Sequence, residues 1–376
     1  MSGIYIHIPF CKQACHYCDF HFSTSMRNSD SMVSALAKEI SMRKDAMDGP
    51  VETIYLGGGT PSVLKIRDLE LLIATVYENF TVSENPEITI EANPDDLNPD
   101  YLEKLARTKV NRLSIGIQSF VEEDLRMMNR AHNAAEAVNC LREATKYFGN
   151  ISIDLIYGIP GMSNEQWKQN VNTALSFGIP HISSYALTVE PKTALQKLIA
   201  TGKIAAPQDD AAREHFTILT ELLANHGFIH YELSNFAKEN YFSRNNSAYW
   251  LGKKYLGIGP SAHSYDGLSR SWNVASNPIY LKSIEKDALP SEAEILSVTD
   301  RYNEYIMTGL RTIWGISMEK VSNDFGAKYL QYLQKGSSKY VSEGLLRIDD
   351  GILTVTESGK FLTDGIAGDL FLVNLA

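Results

Sequence analysis

Six short apolar segments rich in β-branched residues alternate with helix-like segments along the first half of the chain. The strand-like segments cover residues 4–8, 53–56, 87–92, 112–118, 151–157 and 181–187. Several of the intervening segments carry apolar residues three and four positions apart, which is typical of amphipathic helices. Because parallel neighbours in a sheet need a long crossover that is usually a helix, this order predicts β/α units with right-handed connections.

Polar residues or glycines recur where the predicted strands end. They are residues 57–60, Glu91, Gln118, Asp154 and Tyr185. In a β/α barrel the carboxyl ends of the strands converge on one site, whereas in an open doubly wound sheet they are spread along a crevice. Convergence on one large ligand favours a barrel-like arrangement.

Three of the four cysteines, Cys11, Cys15 and Cys18, follow the first predicted strand in a loop over residues 9–22. Their C-x3-C-x2-C spacing brings together an odd number of thiols, which cannot all be paired with one another as disulfides. They can share one metal centre. A cubane iron–sulfur cluster is held by cysteine thiolates, and three of them leave one iron without a protein ligand. An open position on a metal is where chemistry takes place.

Two other interpretations of these cysteines stay open at this point. One is a zinc site completed by His16 or His21, although structural zinc usually takes its ligands in two separated pairs and the chain has no second pair. The other is that the three thiols are buried without a ligand. Cys140 lies in a helical pattern and is expected in the core. Four cysteines in 376 residues do not make a disulfide framework, so a reducing cytoplasm suits the chain.

The composition excludes several classes of protein. Hydrophobic residues make up 44% and charged residues 21%, as in globular proteins, and 376 residues suffice for one large domain and a smaller one. The net charge of −10 argues against nucleic acid as a principal partner. No apolar run approaches the roughly 20 residues of a membrane-spanning helix. We expect no signal segment and a cytoplasmic protein.

The cysteine spacing, its place directly after an N-terminal strand and the aromatic Tyr17 before the last cysteine resemble the cluster motif of the radical S-adenosylmethionine (SAM) superfamily. The resemblance implies a [4Fe–4S] cluster on Cys11, Cys15 and Cys18, with SAM chelated at the open iron by its amino and carboxylate groups. It implies that SAM is cleaved to methionine and a 5′-deoxyadenosyl radical. It also implies an α/β fold, a partial (β/α)6 TIM-like barrel.

Further motifs along the whole chain resemble the oxygen-independent coproporphyrinogen III oxidase family. Among them are Tyr-Leu-Gly-Gly-Gly-Thr-Pro at 55–61 and Gly-Ile-Gly-Pro-Ser-Ala at 257–262. The resemblance implies that the glycine run holds the SAM amino group, that Glu91 accepts hydrogen bonds from the ribose, and that a late glycine pair lies near the adenine. The SAM-binding residues carried over in this way are Tyr5, Gly57, Gly58, Gly59, Thr60, Glu91, Gln118, Arg130, Asp154, Gly257 and Gly259.

Within this family the chain resembles the HemW-type haem chaperones more than the oxidases. The first strand starts at Ile4, and Phe20 stands where the oxidases carry a further cysteine two residues after the third cluster cysteine. HemW proteins carry a His-Asn-x-x-Tyr-Trp motif implicated in haem binding. Here Tyr249 and Trp250 align with it, but Asn245 stands at the histidine position.

An asparagine amide is a poor ligand for haem iron, whereas neutral imidazole is a good one. We therefore expect haem to bind in the region 229–265 through Tyr249 and Trp250, weakly or with another ligand such as His230 or His263. Restoring the histidine, Asn245→His, is expected to tighten haem binding. Plain core packing of Tyr249 and Trp250 is the alternative.

The pattern changes near residue 299. Helical segments at 301–310 and 318–323 precede a hairpin that turns at Asp350 and Gly351, an order that resembles a winged helix. We predict a barrel domain over 1–298, with extra edge strands at 229–233 and 255–259, and a winged-helix-like packing or lid domain over 299–376. The polar segment 235–250 is predicted to be a loop.

Two functions therefore remain for the chain. The first is a haem chaperone that carries a cluster and SAM and transfers haem to unidentified acceptor proteins. The second is an oxidase that decarboxylates coproporphyrinogen III to protoporphyrinogen IX. The sequence assigns no catalytic residue, and it is compatible with a monomer or homodimer and with peripheral membrane association.

Overall fold

The computed structural model describes residues 2–373. The α-helices are α1 Ser29–Met42, α2 Ile66–Asn79, α3 Pro99–Leu105, α4 Glu122–Met127, α5 Ala134–Ala144, α6 Asn164–Ser176, α7 Ala194–Ala200, α8 Asp209–Asn225, α9 Arg244–Trp250, α10 Asn277–Glu285, α11 Val298–Leu310, α12 Met318–Phe325, α13 Ala327–Ser342 and α14 Thr363–Asp369. The strands are β1 Ser2–Ile8, β2 Val51–Gly58, β3 Val82–Ala92, β4 Arg112–Gln118, β5 Ile151–Tyr157, β6 His181–Ala186, β7 Ile229–Glu232, β8 Asn235–Ala237, β9 Lys254–Ile258, β10 His263–Tyr265, β11 Ser269–Asn273, β12 Ser291–Ile295, β13 Ile316–Ser317, β14 Leu346–Asp349 and β15 Ile352–Val355.

Strands β1 to β6 lie side by side in chain order and all pair in parallel, as the alternating pattern predicts. Their apolar residues are buried, with Ile4, Ile6 and Ile8 of β1 at most 1% exposed. Residues at alternate positions and those between them are both buried because the barrel interior covers one face of the sheet and helices cover the other. The sheet does not close, since β12 and β7 are its two ends. The predicted partial barrel is confirmed.

Both edges of the barrel are extended beyond the six parallel strands. Strand β9 pairs in parallel with β1 and leads to the antiparallel strands β10, β11 and β12. On the other edge, β8 pairs antiparallel with β6, and β7 pairs antiparallel with β8. The extra strands predicted near 229–233 and 255–259 are therefore present, as β7 and β9.

The prediction of a loop over 235–250 is wrong. The segment contains β8 and the helix α9, whose first turn is capped by the Ser243 side chain accepting from the backbone N–H of Asn246. A hydroxyl at this position satisfies one of the free N–H groups at a helix start. The helix has only seven residues, too few for its apolar positions to make a clear periodic pattern.

The C-terminal part builds a second apolar core. Helix α11, strand β13, helices α12 and α13 and the hairpin β14–β15 follow one another in the order of a winged helix. Tyr302, Ile306, Leu333 and Leu353 are buried together in this core, separate from the barrel core. The hairpin turns at residues 350–351, as predicted. The domain division at residue 298 stays a prediction.

Between residues 2 and 373, no helix combines the length and the apolar character that crossing a bilayer requires.

Candidate functional site

A cavity of about 500 Å³ opens at the carboxyl ends of the parallel strands. It is lined by the three clustered cysteines and by residues in or directly after β2 to β6. Those residues are Gly58, Gly59, Thr60, Glu91, Gln118, Asp154 and Tyr185, of which Asp154 lies at the middle of β5 and the others at or just after a strand end. The strand ends thus converge on one site, as the barrel interpretation predicts.

The loop that carries the cysteines is fixed to the barrel. The backbone N–H of Cys11 donates to the carbonyl of Ser23 at 3.1 Å, and the N–H of Ser23 donates to the carbonyl of Pro9 at 2.9 Å. Thr60 Oγ1 lies 3.4 Å from Cys11 Sγ and donates to it. Burial raises the pKa of Cys18 to about 11 and also raises the pKa of Cys11. These thiols therefore need a strong electrophile, such as iron, to become thiolates near neutral pH.

The arrangement does not favour a zinc site. Within the described part of the chain, no three side chains of His, Cys, Asp or Glu converge on one metal-ion position. A cubane cluster does not require the three thiolates to meet at one metal position, because each thiolate binds a different iron. His16 Nδ1 is hydrogen-bonded to the carbonyl of Met127 at 2.7 Å, and His21 Nε2 is hydrogen-bonded to Asn277 Oδ1 at 2.8 Å. Cys140 is buried in α5, in the barrel core, as predicted.

Arg130 joins the cysteine loop to the strand ends. One guanidinium nitrogen, Nη1, is 3.3 Å from Cys15 Sγ, and the other, Nη2, donates to Asn93 Oδ1 at 2.7 Å and to the carbonyl of Gly116 at 2.8 Å. Its Nε is buried without an acceptor. A buried donor without a partner is costly, so this atom suits a ligand in the cavity.

Two carboxylates occupy the floor of the cavity. Glu91 accepts hydrogen bonds from Tyr55 Oη at 2.8 Å and from the backbone N–H of Gly58 at 3.1 Å. Burial raises the pKa of Glu91 to about 7, against the opposing effect of these two donors. Burial likewise raises the pKa of Asp154 to about 6. Buried carboxyl groups with raised pKa values in a cleft are typical of functional sites.

Backbone geometry beside the cavity is tightly restricted by the protein's own packing. Gly58 has φ +112°, which side-chain-bearing residues rarely adopt, and a Cβ on Gly59 would lie 2.6 Å from the carbonyl oxygen of Phe10. Gln118 adopts φ +66° at the end of β4, an unusual conformation for a non-glycine residue. The three thiols and the unpartnered arginine nitrogen fit a cluster with a bound SAM.

Four residues expected to contact SAM do not line the cavity. Tyr5 stacks on Tyr55 and its hydroxyl lies 3.1 Å from His7 Nδ1. A Cβ on Gly57 would meet the Tyr55 and Tyr5 rings, and one on Gly257 would lie 2.0 Å from the His263 carbonyl oxygen. Gly259 packs against the backbone of His7 in the same way. These residues pack the barrel.

Asn93 is a site residue that the sequence analysis missed. Its Nδ2 donates to Thr60 Oγ1 at 3.3 Å, and its Oδ1 accepts from Arg130. It therefore links the glycine loop to the arginine that contacts Cys15. Its position predicts this role, because Asn93 is a polar residue that directly follows β3, and other polar residues of the site also lie at strand ends.

A second, larger cavity of about 910 Å³ lies between the barrel edge and the C-terminal part. Helix α9 contributes Asn246, Tyr249 and Trp250 to its wall, residues three and four apart on one helix face. Aromatic residues supply much of the rest, namely Tyr185, Tyr255, Tyr265, Tyr305 and Phe325. Tyr185 lines both cavities, so the two adjoin at this side chain.

Asn245 does not face the large cavity. It is 5% exposed, its Oδ1 accepts from Thr53 Oγ1 at 3.1 Å, and its backbone N–H donates to Glu87 at 3.0 Å. One residue along a helix is a rotation of about 100°, which turns position 245 toward the barrel and position 246 toward the cavity. The structure therefore gives no support to the expectation that a histidine at 245 tightens haem binding.

Asn245→His is instead expected to lower the free energy of unfolding by about 1–3 kcal/mol, because a larger ring must fit a packed site and the bond to Thr53 is lost. Thermal unfolding of the variant measures this loss. Asn246→His is the matched control and is expected to unfold close to the wild type, since position 246 borders open space. Equal stability of Asn245→His and the wild type would contradict the packing argument.

The two histidines considered as iron ligands also lie outside the large cavity. His230 stacks on Phe236 with ring centroids 4.0 Å apart, and its Nδ1 lies 2.9 Å from Lys360 Nζ. Burial lowers the pKa of His230 to about 3. His263 is exposed and packs near Trp272. None of the described residues that line the large cavity is a histidine.

Comparisons with known proteins agree with these features. Residues 5–174 match the family model of the radical SAM superfamily, and residues 296–362 match that of the HemN C-terminal domain. The protein "Heme chaperone HemW" of Bacillus subtilis is 32% identical over 98% of both chains. The mitochondrial "Radical S-adenosyl methionine domain-containing protein 1" of Danio rerio is 34% identical over 99% of this chain and 87% of its own.

The solved structure of coproporphyrinogen III oxidase (HemN) from Escherichia coli superposes with a TM-score of 0.85, covering 98% of this chain and 90% of that one. At 23% identity, this likeness concerns the fold alone. The full-length matches at above 30% identity concern the family. The chain belongs to the coproporphyrinogen oxidase-like family of the radical SAM superfamily, on its HemW branch.

Proposed function

We propose that this protein is a haem chaperone: it carries a [4Fe–4S] cluster and SAM in the smaller cavity and holds haem in the larger one for delivery to acceptor proteins in the cytoplasm. The observation that carries the proposal is the aromatic cavity beside Trp250, adjoining the cysteine cavity at Tyr185. The HemW relatives over the full length of the chain support the same function. The acceptor proteins are unidentified.

In the smaller cavity, Cys11, Cys15 and Cys18 would hold the cluster, which together with SAM supplies one-electron chemistry when bound. Arg130 places a positive charge beside Cys15. Glu91, held by Tyr55 and Gly58, offers its carboxylate oxygens to ligand hydroxyls. Asp154 and Gln118 complete the polar wall.

In the larger cavity, Trp250 and the tyrosines offer flat apolar surfaces to a porphyrin ring. Its volume of about 910 Å³ lies within the usual range for ligand sites. Tyrosine and methionine both serve as haem ligands in other proteins, and Tyr249, Tyr265 and Met307 line this cavity. One of these residues would ligate the iron, because position 245, where the family motif has a histidine, faces the barrel and not this cavity.

Trp250→Ala is expected to weaken haem binding about tenfold, because the ring provides a large apolar contact. Haem titration followed by the Soret absorbance measures the dissociation constant. Trp167→Phe, a substitution in the barrel core away from the cavity, serves as control. Unchanged haem affinity of Trp250→Ala would contradict the assignment of haem to this cavity.

The oxidase alternative is tested on the same preparation. Under anaerobic, reducing conditions with the cluster and SAM loaded, we expect no conversion of coproporphyrinogen III to protoporphyrinogen IX. Catalytic turnover of coproporphyrinogen III would favour the oxidase over the chaperone.

A further inference from the structure

The larger cavity is lined by charged as well as aromatic side chains. Four are cations and three are anions: Arg270, Arg301, Arg311 and Lys320, against Glu232, Glu304 and Asp324. The lining therefore has one more cation than anions, although Arg270 and Arg311 also pair with Glu294 and Asp364 beside it.

Each of the three carboxylates is already paired with a cation of the same wall. Arg311 contacts Glu232 at 3.0 Å, and it also pairs with Asp364 outside the cavity. Arg270 contacts Glu304 at 3.0 Å. Lys320 pairs with Asp324 one helical turn away. These pairs account for every anion of the wall.

Arg301 is the cation that remains. Among residues 2–373 it makes no ion pair within 4.0 Å, and its Nε is buried without an acceptor. It lies in the first turn of α11, where the helix dipole disfavours a positive charge. Neither an ion pair nor helix stability therefore explains an arginine at this position.

A second donor of the same wall lacks an acceptor. Trp250 Nε1 is buried without a partner, and the guanidinium of Arg311 lies over the Trp250 ring, 5.1 Å from its centroid. Arg301 and Trp250 together suit a ligand that is flat and carries acceptor groups at its edge. Haem has this chemistry, with an aromatic macrocycle and two propionate carboxylates.

We propose that Arg301 binds a carboxylate of the cavity's ligand, a propionate of haem, and so selects for porphyrins that carry a free acid group. The proposal rests on the assignment of haem to this cavity. A planar guanidinium is the side chain best suited to a carboxylate, since it donates two parallel hydrogen bonds. Because Arg301 has no protein carboxylate to release, a propionate gains this contact without breaking an ion pair.

The test compares haem with haem dimethyl ester, in which both carboxylates are blocked. Wild type, Arg301→Gln and Arg301→Lys are titrated with each, and Arg347→Gln, on the exposed hairpin of the C-terminal part, is the control. We expect Arg301→Gln to bind haem about 5- to 20-fold more weakly, with Arg301→Lys in between and Arg347→Gln unchanged. The ester is expected to bind wild type and Arg301→Gln equally.

The outcomes separate this proposal from the proposed function. Equal haem affinity of Arg301→Gln and wild type, while Trp250→Ala binds more weakly, overturns the role of Arg301 and leaves haem in the cavity. An equal loss for haem and for the ester also overturns it, because the effect would then not depend on the carboxylates. Failure of the wild type to bind haem overturns the proposed function and the role of Arg301 with it.

Discussion

Cys15→Ala is expected to retain less than about a tenth of the iron that the wild type takes up on anaerobic reconstitution, where the wild type should reach about four irons per chain. The three cysteines occupy one loop, line one cavity and are free of disulfides. Cys15 Sγ also lies 3.3 Å from Arg130 Nη1. Because a three-cysteine site has no spare ligand, loss of one cysteine leaves two irons of the cluster without a protein ligand.

The control for this experiment is Cys140→Ala. Cys140 is 4% exposed and lies in the barrel core, so its removal is expected to leave the iron content unchanged. Iron and acid-labile sulfide are measured on both variants, together with the visible absorbance of the cluster. A full cluster in Cys15→Ala, or its loss in Cys140→Ala, would show that the ligands are misassigned.

The parallel barrel was predictable because each of its strands is a local, continuous signal. In 112–118 and 151–157 the β-branched and apolar residues lie on both faces, as buried parallel strands require, and the observed bounds agree. The order of the parallel strands then places Glu91 and Asp154 in one cavity. Short, local segments of sequence therefore suffice to predict most residues of the smaller cavity.

The edge strands β11 and β12 gave no such signal. Their sequences, Ser-Arg-Ser-Trp-Asn and Ser-Glu-Ala-Glu-Ile, are mostly polar, and β12 is exposed along its whole length. Such strands form because a neighbouring strand is available to pair with them in the folded protein. Their own composition does not reveal that neighbour. The larger cavity could not be predicted from local sequence either, because α9 and α11 contribute to it from segments about fifty residues apart in the chain.

The late glycines show a different limit. The family resemblance places Gly257 and Gly259 near the adenine of SAM. In the structure it is the protein that approaches, through the His263 and His7 backbones. A sequence cannot tell whether the space beside a glycine is filled by a ligand or by another strand. Asn245 was misplaced for a related reason, since the side of the helix it occupies follows only from the helix itself.

Glu91→Gln is expected to weaken SAM binding about 10- to 150-fold, because a hydrogen bond from a ligand hydroxyl to a charged acceptor contributes about 1.5–3 kcal/mol. The substitution keeps the size of the side chain but removes the charge held in place by Tyr55 and Gly58. Calorimetric titration of SAM into cluster-loaded protein measures the dissociation constant. Iron content is determined on the same samples, so that loss of the cluster is not mistaken for loss of SAM contacts.

The pH dependence of SAM binding identifies the carboxylate as the cause. The pKa of Glu91 is about 7, raised by burial, so the group is mostly ionised at pH 8 and mostly protonated at pH 6. If the ionised form binds the ligand, wild-type affinity falls as the pH is lowered through this range, by at most about tenfold per pH unit. Asp154, with a pKa of about 6, adds a further decrease at the acidic end.

Glu91→Gln is expected to lose the part of this pH dependence that falls near pH 7 and to keep the part that Asp154 causes. Glu123→Gln, an exposed substitution in α4, is the control and should follow the wild-type curve throughout. If Glu91→Gln binds SAM as tightly as the wild type with the same pH curve, Glu91 does not contact the ligand. Its raised pKa would then reflect only its position inside the barrel, beneath the cavity floor.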